Sequence, residues 1–208
     1  MLRLVMKVWC LVYKEKNMNN EKNLLEYDEV CPYREGRAAV RKGEFWGYVD
    51  ENGKLVSTDF TRSGKPGFPY KYAEPFCDGW AKVHNKGALE EYSYLIDRNC
   101  NRMMVDGEYI SSGDTMRNGV SIVGFDCFEY YRECFVDKDC HVLSDRFEEI
   151  SYIDKTGMPY SDFGNYAMVR NGYKYGLLNV KSFKLELPCE YGWDEFWEEI
   201  ERLKISFE

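Results

Sequence analysis

The sequence predicts an all-β chain: a tandem repeat of four antiparallel β-hairpin/meander units, arranged as a solenoid or propeller-like ring, with a short C-terminal helix. Three observations predict it. A Gly-x-Ala-x-Val run, "GRAAV" at 36–40, returns as "GWAKV" at 79–83, "GVSIV" at 119–123 and "NYAMV" at 165–169. Each copy is followed by a second strand-like step ending in Asp or Asn: "WGYVD" at 46–50, "SYLID" at 93–97, "ECFVD" at 133–137 and "YGLLN" at 175–179. The composition agrees, with 17 Tyr, 16% aromatics and 6 Pro, a balance suited to half-buried pleated surfaces. Self-similarity at a period of about forty residues means that each unit is a supersecondary element unable to bury its faces alone.

Taken in order, residues 1–24 hold an alternating stretch, "LRLVMKVWCLVY", predicted as an N-terminal strand, and a polar linker, "KEKNMNNEKN". The strand could pair with the first repeat or close a ring beside the last. Residues 25–191 hold the four units, each led by an aromatic step: "EYDEV" from 26, "YKYAE" from 70, "GEYIS" from 107 and "DRFEE" from 145. Lys42-Gly43 and Asn52-Gly53 supply the positive-φ positions that tight hairpins need. The Asn52-Gly53 turn corresponds to Asn99-Cys100, Asp139-Cys140 and Lys181-Ser182. Alternation sets Ala38 and Val40 on one face, with Trp46 and Tyr48 sharing a face opposite Gly47 and Val49. Trp46 is the expected packing anchor between neighbouring sheets. A fifth aromatic step, "PCEYG" from 188, opens a unit that does not follow.

"FPYKYAEPFCDGWAKV" at 68–83, and above all Trp46-Gly47 with "DENGKLV", resemble the bacterial WG-containing repeat family, also called KWG repeats. The second unit keeps its first half, the third is divergent in both halves, and the fourth keeps Tyr175-Gly176. The resemblance spans roughly residues 25 to 191. It implies tandem β-hairpin units, and it brings no catalytic residue with it.

Residues 192–208 read as an amphipathic capping helix. Trp193, Phe196, Trp197, Ile200 and Leu203 fall on one stripe, acidic residues open it and basic residues close it. Such a helix covers the last repeat's open edge; alternatively, two Trp on one face make it a secondary interface.

Chemistry is sparse. Lys and Arg number 28 against 36 Asp and Glu, a net charge of −8 that repels a phosphate backbone. The eight cysteines carry no CxxC spacing and fit reduced thiols in a cytoplasmic protein. Cys134 matches the Gly of the Trp-Gly step and is expected to be buried. Cys134, Cys140 and His141 lack the spacing of a zinc finger or ribbon, so no metal or cofactor is expected. No apolar run is long enough to span a membrane. The two histidines, His84 and His141, belong to different units, and no nucleophile elbow, P-loop or dinucleotide fingerprint occurs. Glu90-Glu91 and Glu148-Glu149 read as solvated faces. The chain is therefore expected to be no enzyme.

One regularity points to a site. From the Val of the first strand to the Asp or Asn of the second, units one and four span ten residues, whereas units two and three span fourteen. Matching extensions in a repeat array project from equivalent positions, often on the binding side. Here they carry Glu90, Glu91, Tyr92, Phe128, Glu129, Tyr130 and Tyr131: aromatic anchors among carboxylates, fitted to a basic protein partner. The leading expectation is a non-catalytic protein–protein interaction module, an inhibitor or immunity-type binder. Recognition of a small molecule or glycan by the aromatic-rich face is the alternative, and a carboxylate-pair hydrolase a third.

Overall fold

A computed structural model of the chain describes residues 24, 26–58, 65–85, 93–127, 130–153, 159–160 and 165–205. The expected N-terminal strand and most of its linker lie outside the described residues. The chain divides into two compact units: Met1–Met103 with Ser112–Gly119, and Met104–Ser111 with Val120–Glu208. Among the described residues, the paired strands are antiparallel and a short C-terminal helix follows them.

In the first unit, β1 (Glu29–Val30), β2 (Arg37–Lys42), β3 (Phe45–Asp50), β4 (Tyr70–Ala73), β5 (Ala81–Asn85) and β6 (Ser93–Ile96) form one sheet in sequence order. The second unit begins with a small hairpin of β7 (Met104–Val105) and β8 (Glu108–Tyr109). After β9 (Ser112–Gly113), which belongs to the first unit and lies against β6, come β10 (Val120–Cys127) and β11 (Tyr130–Asp137), a long hairpin of the second unit. A five-stranded sheet follows, built from β12 (Glu149–Ile153), β13 (Pro159–Tyr160), β14 (Tyr166–Asn171), β15 (Lys174–Asn179) and β16 (Lys184–Tyr191) in the order β13-β12-β14-β15-β16. Helix α1 (Trp193–Leu203) follows β16.

The four hairpins share one register. Val40 faces Gly47, Val83 faces Tyr94, Val123 faces Cys134 and Val169 faces Gly176. The turn before each of the first three hairpins is built alike. Glu35-Gly36, Asp78-Gly79 and Asn118-Gly119 have positive φ at both residues, the geometry of a tight two-residue turn whose twist matches its strands. The acidic member of each turn reaches onward: Glu35 accepts the Gly79 amide at 2.9 Å, and Asp78 accepts the Gly119 amide at 2.8 Å.

The turn after each second strand is organised by its closing Asp rather than by Asn-Gly. Asp50 Oδ1 accepts the amides of Asn52 and Lys54, Asp97 those of Asn99 and Asn101, and Asp137 those of Asp139 and His141. The residue three beyond the Asp is left-handed each time, as Gly53, Cys100 and Cys140. Asn179 holds Lys181 and Ser182 in the same way, but the left-handed residue there is Phe183.

Both faces of a repeat are buried. In the first, Ala38, Val40 and Val49 cluster on one side with Leu55 and Phe68. On the other, Tyr48 is sealed beside Tyr70 and Phe76 in edge-to-face contacts, and its hydroxyl donates to Glu74 O at 2.6 Å. Tyr48 is therefore the anchor. Trp46, expected in that role, is half-buried at the hairpin end under the Arg41 guanidinium. It lies two residues closer to the turn, and its backbone pairs with Tyr70 of β4.

In the second unit the same logic gives two clusters. Ile122, Phe135, Tyr152, Ala167, Val169 and Leu178 form one; Met168, Leu177 and Leu187 with Phe196 and Ile200 of α1 form the other. Phe196 and Ile200 are the buried residues of the helix. Its N-terminus is fixed by Glu195, whose carboxylate accepts the Gly192 amide at 2.8 Å.

Candidate functional site

The extension of the third repeat is strand, not loop. The β10–β11 ladder continues through Phe125↔Arg132, Asp126↔Tyr131 and Cys127↔Tyr130. Phe125 is buried beneath the Arg146 guanidinium, 4.2 Å from its ring centre, so the exposed end begins at residue 126. Tyr130 is 63% exposed and Tyr131 40%. Glu90, Glu91, Tyr92, Phe128 and Glu129 lie outside the described residues.

Strand alternation puts the two tyrosines on opposite faces. On one, the Arg132 guanidinium sits 5.5 Å from the Tyr130 ring and pairs with Glu148 at 3.0 Å. On the other, the Tyr131 hydroxyl donates to Glu133 at 3.0 Å, with Asp126 directly across the hairpin. Glu133 also accepts the Ile150 amide at 2.7 Å, which fixes the carboxylate against β12. The Tyr131 face is thus acidic and the Tyr130 face carries a neutralised cation.

Trp193 and Trp197 are brought together. Their ring centres lie 5.6 Å apart at 79°, and Trp193 packs on Tyr175 at 5.1 Å and 72°. Trp197 in turn meets Phe196 at 5.1 Å. Trp193 stays 46% exposed. Tyr173, in the adjoining β14–β15 turn, is 93% exposed.

Glu148 and Glu149 lie at the surface, where both are engaged in ion pairs. Glu148 accepts the Gly172 amide at 2.7 Å, while Arg170 pairs with Glu149 at 2.9 Å and with Glu148 at 3.4 Å. The amide bond from Gly172 and the bond and charge of Arg132 hold the Glu148 carboxyl below its usual range. The first repeat repeats the device: Asp28 accepts the Gly43 amide at 2.6 Å and Arg41 pairs with Glu29 at 3.1 Å. The sequence reading missed these clamps, although the shared "DEV" and "EEI" steps with an Arg before each turn Gly were visible.

Cys134 is fully buried, and burial pushes its thiol up to about 11, away from nucleophilic use. His141 is bound through Nδ1 to Asp137 at 2.9 Å; that bond, then the carboxylate's charge, raises its pKa. Among the described residues, no three of His, Cys, Asp and Glu gather as a metal site. No described helix is long and apolar enough to cross a membrane.

A search of curated proteins returns no match. Residues 25–44 match the family described as "WG containing repeat". The matched segment holds the aromatic step, the tight turn and β2 of the first hairpin, and it stops short of Trp46-Gly47. Through this segment, the chain is similar to the WG containing repeat family.

Proposed function

We propose that the chain is a non-catalytic protein-interaction module whose partner presents a basic surface, and that contact is made by the acidic face at the end of the β10–β11 hairpin. The observation that carries this reading is the sorting of that hairpin's two faces: Asp126, Tyr131 and Glu133 share one, whereas the other carries Arg132 beside Tyr130. A tyrosine flanked by carboxylates offers apolar area at low entropic cost and selects a cation as its complement. Among the described residues, Arg41, Arg98, Arg132, Arg146, Arg170 and Arg202 each pair with a glutamate. The chain as a whole carries a net charge of −8, which favours a basic partner. A stoichiometric inhibitor of a basic protein is the specific role this supports.

The test begins with affinity purification from the native host and continues with titration of the purified partner. Tyr131→Ala and Asp126→Asn should each weaken binding by about tenfold, or roughly 1.4 kcal/mol. Tyr130→Ala, whose ring is already covered by Arg132, should change it less than about threefold, or roughly 0.65 kcal/mol. Association should slow steeply with added salt. Equal losses from the two tyrosine variants would place the contact elsewhere, and salt-independent binding would remove the electrostatic basis.

A further inference from the structure

We propose that the aromatic edge of the second unit formed by Tyr175, Trp193 and Trp197 binds the side-chain cation of an arginine or lysine in a basic peptide segment. The site is separate from the hairpin face and stands or falls without it.

Three observations converge here. The first is an unoccupied ring. The chain lays its own arginines over aromatic faces at Phe125 (4.2 Å), Tyr94 (4.7 Å), Tyr130 (5.5 Å) and Trp46 (5.9 Å). Trp193, an indole and so the strongest kind of acceptor for such a contact, has no described cation over it and remains 46% exposed.

The second is charge. Asp194 and Glu198 stand one helical turn apart beside the Trp193–Trp197 row, and Glu201 continues that row by a further turn. None of the three has an ion pair among the described residues. The neighbouring cations are engaged or turned away: Arg202 is held by Glu199, Arg170 by Glu148 and Glu149, and Lys174 alternates to the strand face opposite Tyr175. Lys204, at the helix C-terminus, is the one remaining charge of that sign on α1.

The third is shape. Trp193 meets Tyr175 at 72° and Trp197 at 79°. A flat sugar ring needs a coplanar platform and cannot lie on both members of a perpendicular pair. A compact cation needs one ring face with carboxylates alongside, and that is what the edge provides. The ring is also positioned rather than loose: edge contacts on two sides limit its rotamers before any ligand arrives.

The probe is an acetylated, amidated tetra-arginine peptide titrated into the full chain at physiological salt, followed by tryptophan fluorescence and calorimetry. We expect saturable binding that Trp193→Ala weakens at least tenfold and the Asp194→Asn/Glu198→Gln pair at least threefold, with Tyr131→Ala unchanged. Should Trp193→Ala lose its folded circular-dichroism spectrum, Trp193→Leu keeps the apolar bulk without the ring and takes its place. Binding to the Trp193 variants as tight as wild type would show general attraction to an acidic chain and overturn the site. So would an absence of binding at millimolar peptide, or a Trp193-dependent response to an N-acetylglucosamine oligomer in place of the peptide.

Discussion

Gly47 shows what a single hydrogen atom can decide. A Cβ placed there would lie 2.5 Å from Ser57 Oγ, 3.1 Å from Gly67 O and 3.2 Å from Leu55 Cδ1. Ser57 has no freedom to move aside, because it is buried, accepts the Tyr48 amide at 3.0 Å and donates to Gly67 O at 2.8 Å. Gly47→Ala should therefore lower the unfolding free energy by about 1–3 kcal/mol in urea titrations, the usual cost of overpacking. An unchanged midpoint would mean that the Ser57 segment gives way freely. Gly176 meets backbone in the same sense, with Leu187 O at 2.8 Å. The Trp-Gly pair was legible in the sequence, but its reason was not: the atoms that forbid a side chain come from residues ten and twenty positions on. The correspondence of Cys100 and Cys140 with Gly53 was equally legible, and all three prove left-handed. What pattern could not supply was the Asp that imposes that conformation through two amides.

At the scale of elements, α1 fills the place that a following strand set fills elsewhere. Tyr48 of the first repeat is covered by Tyr70 and Phe76 from the second, whereas Leu177, its counterpart in the fourth, is covered by Phe196 and Ile200. Truncating Phe196 to Ala should cost about 3–5 kcal/mol. Trp193→Ala, at a half-exposed position, should cost far less, and differential scanning calorimetry of the two variants separates them. If both lowered the melting temperature equally, the helix would be held by its whole apolar stripe rather than by its two buried residues. The stripe from Trp193 to Leu203 was readable from spacing alone. The division within it was not, because burial depends on where β15 and β16 end. The same limit explains the third-repeat extension. Its length could be counted, but whether four added residues form a loop or two more rungs depends on cross-strand partners such as Asp126 and Tyr131.

The whole molecule carries its acidity in two roles, one turned outward and one holding repeats in line. In the first unit, burial pushes the Glu35 carboxyl up. The hydrogen bonds and charge of Arg98 and the Gly79 amide together outweigh this and hold it below its ordinary value. A carboxyl whose folded pKa is depressed adds stability that is complete above the unfolded value of about 4.3 and is lost as pH falls through the folded one. Urea midpoints taken from pH 6 down to pH 3 should therefore drop, and Glu35→Gln should flatten the drop. An acid slope identical in the variant would assign the loss to other carboxylates. The excess of acid was plain from composition, and with it the expectation of a basic partner. Which carboxylates are free for that role was not, since Glu148 and Glu149 look no different in sequence from Asp194 and Glu198.

The onward reach of the first two turns also has a meaning in time. Glu35 finds its amide partner at Gly79, forty-four residues later, and Asp78 finds its own at Gly119, forty-one residues later. On the ribosome, at about 5–20 residues per second, the first carboxylate waits roughly two to nine seconds for the residue that satisfies it. By then its successor has already been synthesised and is waiting in turn. The second and third repeats thus each complete the turn of the repeat before them. The order of synthesis becomes the order of closure, and a nascent chain halted between two glycines keeps one unfinished turn at its growing end.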